Sequence, residues 1–188
     1  MKNAKAKDLI FIALCSDIGL IAKRLISPFA NVFTDFLRIP GGIGTGFSLL
    51  FLVIGAELVP LRGCAALMGF VQSMIMLALG MTGSMGALSP IGYIVPGIVI
   101  DLVFALGRKH NADKQIMMIL ANMLASASAG LTANVIVFNL RGIPLALYVT
   151  VALISGGICG QFAYILSKRL APLTGMSEHK RIEYEEVK

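Results

Sequence analysis

The chain has 188 residues, of which 57% are hydrophobic and only 14% charged, with a mean hydropathy of +0.85. Soluble domains run at roughly 45–50% apolar and about 25% charged residues, so an ordinary soluble domain is excluded; at roughly 20 residues per membrane span there is length for about six. The net charge of +6 is concentrated at the chain ends and in short loops, a pattern that orients membrane proteins and forms no nucleic-acid patch.

Apolar segments over residues 8–27, 42–59, 63–81, 87–107, 115–139 and 144–168 are expected as helices. They make residues 1–172 a compact all-α integral membrane bundle of six transmembrane helices, with 173–188 as a charged flexible tail. The first segment follows Lys2, Lys5 and Lys7 as a signal peptide would. Lys23 and Arg24, not a small-residue cleavage site, follow its apolar run, so it is read as a retained helix. Asp17 lies mid-span with Arg24 two turns away, and an intramembrane acid of this kind either pairs structurally or acts.

Residues 28–41 form the longest connection, bracketed by Pro28 and Pro40 and followed by Gly41, Gly42, Gly44 and Gly46. A long connection in a compact bundle reads as a lid; an interfacial helix lying on the membrane surface is the alternative. Asp35 and Arg38 are its candidate ligand contacts, against solvated loop charge. Glu57, near the end of the second helix, is expected at the interface close to Arg62. The third helix carries the small residues Ala65, Gly69 and Ser73, and Gln72 at its middle.

The fourth helix starts after the polar turn Thr82-Gly83-Ser84 and brings in Ser89 and Tyr93, with Asp101 further along as a helix brace or partner contact. The fifth has Ala121, Ala125, Ala129 and Ala133 at every fourth position and runs through Ser126, Ser128, Thr132, Asn134 and Asn139. The sixth repeats the small spacing with Ala152, Gly156 and Gly160, after Tyr148 and Thr150. Small residues at this spacing let helix backbones approach closely where lipid supplies no hydrophobic drive. The hydroxyl, amide and phenol groups collect towards one face of the membrane. Ser89, Tyr93, Asn134, Asn139, Tyr148 and Gln72 are therefore expected to line an apolar pocket with a few converging polar groups, as small-ligand sites do. An aromatic belt at the interface is the alternative for the two tyrosines.

Lys2, Lys5, Lys7, Arg62, Arg108, Lys109, Lys114, Lys168, Arg169, Lys180, Arg181 and Lys188 all fall on one side if the N-terminus is inside. Both termini are therefore expected in the cytoplasm, in a multi-pass protein of the cell membrane. Cys15, Cys64 and Cys159 have no paired spacing, and His110 and His179 flank the apolar segments. No disulfide, metal, cofactor or catalytic residue is expected. Thr82-Gly83-Ser84-Met85-Gly86 departs from the G-x-S-x-G elbow at its first position, and no Gly-rich loop ending in Gly-Lys-Ser/Thr occurs. The chain is expected to be no enzyme and to carry no nucleotide motor of its own.

Over residues 5–175 the chain resembles the substrate-binding S component of energy-coupling factor (ECF) vitamin transporters. The basic N-terminus, the long loop after the first of six helices and the polar half of helices four to six carry the resemblance. Leu61-Arg62-Gly63-Cys64-Ala65-Ala66-Leu67, Pro96-Gly97-Ile98-Val99-Ile100-Asp101-Leu102-Val103-Phe104, Leu153-Ile154-Ser155-Gly156-Gly157 and Leu173-Thr174-Gly175 are similar to the hydroxymethylpyrimidine/thiamine-related branch. The resemblance implies capture of a small vitamin or precursor at the outer face, closure of the first loop, and docking on a separate T component and two ATPases. It implies docking through an Ala-x-x-x-Ala-like surface of the first helix. Here Asp17 follows Ala13 at that spacing, so Ala13, Ser16, Gly19 and Ala22 are the expected docking residues. Two other classes stay open: a ligand-free membrane assembly or scaffold subunit, and a small intramembrane enzyme that turns over its substrate without a motor.

Overall fold

A computed structural model describes residues 6–37, 43–59, 61–80, 86, 88–136, 139 and 142–174. The described residues form six helices: α1 (Ala6–Leu37), α2 (Ile43–Leu58), α3 (Cys64–Ala78), α4 (Ser89–Lys109), α5 (Lys114–Ile136) and α6 (Ile143–Thr174). The architecture is all-α. Among the described residues, three stretches are long and apolar enough to cross a membrane: Ser89–Lys109, Lys114–Val135 and Ile143–Pro172. Their outward faces carry large apolar side chains such as Leu102, Leu120, Leu124, Ile154, Ile158 and Phe162, more apolar surface than a water-soluble monomer exposes.

α2 packs against each of the other five helices. It is apolar on every side, and a helix of that kind belongs in the interior: Leu49, Leu50, Leu52, Val53, Ile54, Ala56 and Leu58 are all buried. Cys15 and Gly19 of α1 meet Gly55 and Ser48 of α2 respectively, which fixes the pair as antiparallel. Lys114 at the start of α5 reaches Glu57 at the end of α2, at 3.7 Å. Ser167 near the end of α6 meets Met118 of α5. The first turns of α1 and the last turns of α6 therefore lie at the same end of the bundle. Glu57 is buried, with Lys114 as an ion-pair partner.

α1 differs from expectation. It does not stop near residue 27 but stays helical to Leu37, so most of the expected loop over 28–41 is helix, and residues 38–41 lie outside the described residues. Pro28 lies inside α1. Proline carries a helical φ and removes one hydrogen bond, so it weakens a helix without necessarily ending it. At the other end of the chain α6 continues through Pro172 to Thr174, past the boundary expected at 168. The tail from 175 on lies outside the described residues.

The turn between α2 and α3 is stapled by α4. Gly63 precedes α3 at φ 83° and provides no side-chain cap. Asp101 of α4 supplies one instead, accepting from Ala65 N at 3.2 Å and Ala66 N at 2.8 Å. The first amides of a helix have no internal partner and their end is electropositive, so a carboxylate there is doubly favoured. Two turns on, Arg108 Nη2 donates to Ala56 O at the end of α2, at 3.3 Å, matching a cation to the negative end of that helix. Asp101 is thus a brace. Asp101→Ala should lower stability by about 2–3 kcal/mol, with Asp101→Asn losing roughly half of that, since hydrogen bonds to charged groups contribute about 1.5–3 kcal/mol. Denaturant titration in detergent reads this directly. An unchanged midpoint for the alanine variant would show the cap to be energetically idle.

Candidate functional site

Tyr93 lies one turn into α4, on the same face as Ser89 four residues earlier. α1 presents Lys23 to it: Nζ donates to the Tyr93 hydroxyl at 3.0 Å and lies 4.2 Å from the ring centroid. Both side chains are half-buried. An ammonium over a partly desolvated aromatic face contributes about 0.5–2 kcal/mol, so the pair fixes a cation and a π-surface together. Ser89 is buried, and its Oγ has no hydrogen-bond partner among the described residues. Buried hydroxyls are nearly always bonded. Lys23 and Tyr93 thus bring a cation and a ring together, and the Ser89 hydroxyl lies one turn before Tyr93 on α4.

Of the other expected ligand residues, Gln72 and Asn134 make hydrogen bonds within the bundle. Gln72 is buried and donates from Nε2 to Ser16 O at 3.1 Å, tying α3 to α1. Asn134 donates to Gly130 O at 2.9 Å within α5. The Tyr148 ring lies on Gly130, and its hydroxyl lies against the Asn134 side chain. No hydrogen bond joins this α5–α6 pair to Lys23–Tyr93 among the described residues. Asn139 is exposed at φ 48°, in the left-handed region that asparagine tolerates. Arg38 and the side chain of Asp35 lie outside the described residues.

Of the four expected docking residues Ala13, Ser16, Gly19 and Ala22, two are placed against other helices. Ser16 and Gly19 face inward. Ser16 is buried with its hydroxyl on Ile12 O at 2.9 Å, and a Cβ at Gly19 would come 2.9 Å from Gln72 Nε2 and 3.4 Å from Ser48 O. Their smallness serves the approach of α2 and α3 to α1. The outward face carries Ile10, Ala13, Leu14, Asp17, Ile18, Ile21 and Leu25, with Ala22 half-buried.

Two functional-looking side chains escape local pattern reading. Lys23 follows Gly19 by four residues and Ser16 by seven, which places it on the inward stripe; that spacing is the signal that marks it. Asn122 is fully buried, and its Nδ2 donates to Gly156 O at 2.8 Å and Gly46 O at 3.2 Å, joining α5, α6 and α2. Its Oδ1 and the Ser126 Oγ one turn on have no partner among the described residues.

Ser16, Ser48, Ser73, Ser128, Ser155 and Ser167 donate to backbone carbonyls three or four residues back, which occupies them in helix back-bonding. No described serine is paired with a base, and among the described residues no group of three His, Cys, Asp or Glu is placed to hold a metal. No protein-family model, curated protein or solved structure matches the chain.

Proposed function

We propose that the chain is the substrate-binding membrane subunit of an ECF-type importer, taking up a small vitamin or vitamin precursor of the hydroxymethylpyrimidine/thiamine-related kind. All six helices cross the membrane in this reading. α2 has 16 residues and spans only about 24 Å at 1.5 Å per residue, but it is enclosed by its neighbours and need not match the bilayer. The positive-inside rule puts Arg62, Arg108, Lys109, Lys114, Lys168 and Arg169 in the cytoplasm with both termini. The Lys23–Tyr93 end then faces out.

The observation that carries the reading is the Lys23–Tyr93 contact, with the buried Ser89 hydroxyl, which has no partner among the described residues, one turn earlier on α4. A planar heteroaromatic ring stacks on tyrosine, its lone pairs accept from an ammonium, and a hydroxyl fixes its edge. With no nucleotide-binding loop in the sequence, uphill import needs an external motor, here a T component and two ATPases. Calorimetry on the purified protein with hydroxymethylpyrimidine, thiamine, riboflavin and biotin should find one compound bound at one site without ATP. Lys23→Met and Tyr93→Leu should each weaken it about 10–30-fold, corresponding to roughly 1.4–2 kcal/mol. Tyr93→Phe should lose less than Tyr93→Leu. Absence of binding by all compounds, or indifference to both positions, would favour a ligand-free assembly subunit, which the close helix seams alone also suit.

A further inference from the structure

The basic end of the bundle carries a cleft of about 740 Å³ between the α2–α3 turn and α4, within the about 300–1,000 Å³ usual for ligand sites. Arg62, Arg108 and Lys109 line it, all three exposed. Its one acidic lining residue, Asp101, already accepts two backbone amides of α3. Arg108 gives one bond to Ala56 O, and a guanidinium carries five N–H donors, so it keeps capacity for another acceptor. From this cationic mouth the wall continues along α4 through Ile98 and Leu102, which are 52% and 58% exposed.

We propose that this cleft binds an anionic glycerophospholipid, its phosphate between Arg62, Arg108 and Lys109 and an acyl chain along the Ile98–Leu102 face of α4. Charge complementarity selects the headgroup: the three cations outnumber the single engaged carboxylate. The join between cationic mouth and apolar wall selects a lipid over a free oxyanion, because a free phosphate leaves the wall uncovered. Basic pockets at the cytoplasmic end of helix bundles hold anionic headgroups for this reason, and the orientation proposed above puts the cleft in that leaflet. The inference does not depend on which vitamin is carried, or on whether one is.

The test is native mass spectrometry of the full chain in detergent with equal amounts of dioleoylphosphatidylglycerol and dioleoylphosphatidylcholine. The phosphatidylglycerol adduct should dominate and should survive millimolar inorganic phosphate. The double variant R62Q/K109Q removes two exposed charges and leaves Arg108 and Asp101 to hold the fold. Its preference for phosphatidylglycerol should fall about 30-fold, at roughly a tenfold loss per 1.4 kcal/mol and about 1 kcal/mol per cation. Equal retention of the two lipids by the wild-type chain would overturn the proposal, and that measurement needs no variant. Displacement by inorganic phosphate would reassign the cleft to a free oxyanion. An undiminished preference in R62Q/K109Q would place the lipid elsewhere.

Discussion

Gly156→Val should destabilise the bundle by about 3 kcal/mol or more, at or beyond the upper end of what overpacking a core usually costs. A Cβ at this position would meet Ser126 Oγ at 2.8 Å, Asn122 O at 2.9 Å and Met123 Cα at 2.9 Å. Two of those atoms are α5 backbone, which cannot rotate away. On another side lies α2: a Cβ at Gly46 would come 3.1 Å from Gly156 N and 3.2 Å from its Cα. Three helices therefore converge on one missing side chain, and valine forces at least one seam apart. Gly157→Val is the matched control. Its Cβ would meet only the Met123 side chain, 3.3 Å away at Sδ, and a flexible thioether can move. Unfolding of the two variants in a detergent series should show a large loss at 156 and a small one at 157. Equal midpoints would mean that the α2–α5–α6 junction is looser than its backbone distances indicate.

The same geometry explains which features can be read from the residues alone. Small residues every fourth position on α3 and α6 announce close seams, and the seams exist. Gly69 meets the Tyr93 backbone and Gly97 meets the Ala65 backbone, so α3 and α4 interlock reciprocally. Gly160 approaches Ile119 Cα in the same way. Those signals are local and periodic. What periodicity leaves open is direction: on α1, Ser16 and Gly19 suit an outward docking face as well as an inward seam, and only Gln72, more than fifty residues away in sequence, decides between them. The extent of α1 was equally open, because proline argues against a helix interior without forbidding it. The candidate site is the least local feature of all. Lys23 and Tyr93 are 70 residues apart, and no window of sequence contains both. Asp101 looks like a costly intramembrane charge until the start of α3 is placed beside α4, where the carboxylate becomes a helix cap.

Asn122→Asp should be the most damaging change that alters almost no volume. The amide NH2 of Asn122 lies against two carbonyls, Gly156 O at 2.8 Å and Gly46 O at 3.2 Å, in a fully buried position. An ionised carboxylate has the same shape but no donor. It replaces two attractive contacts with two repulsive ones, where no water screens them. Leaving a buried charge uncompensated costs about 3–5 kcal/mol, which is a large part of a typical 5–15 kcal/mol stability. Asn122→Ala should cost less, about 1–2 kcal/mol. It forfeits two bonds that contribute roughly 0.6 kcal/mol each within membrane bundles and leaves a small void, but it also removes the Oδ1 that has no partner among the described residues. The order aspartate, then alanine, then wild type separates polarity from packing in denaturant titrations of the three proteins. Equal losses would mean that volume holds α2, α5 and α6 together at this point. An aspartate variant as stable as wild type would mean that the carboxyl is protonated there and still donates to a carbonyl, or that solvent reaches the junction.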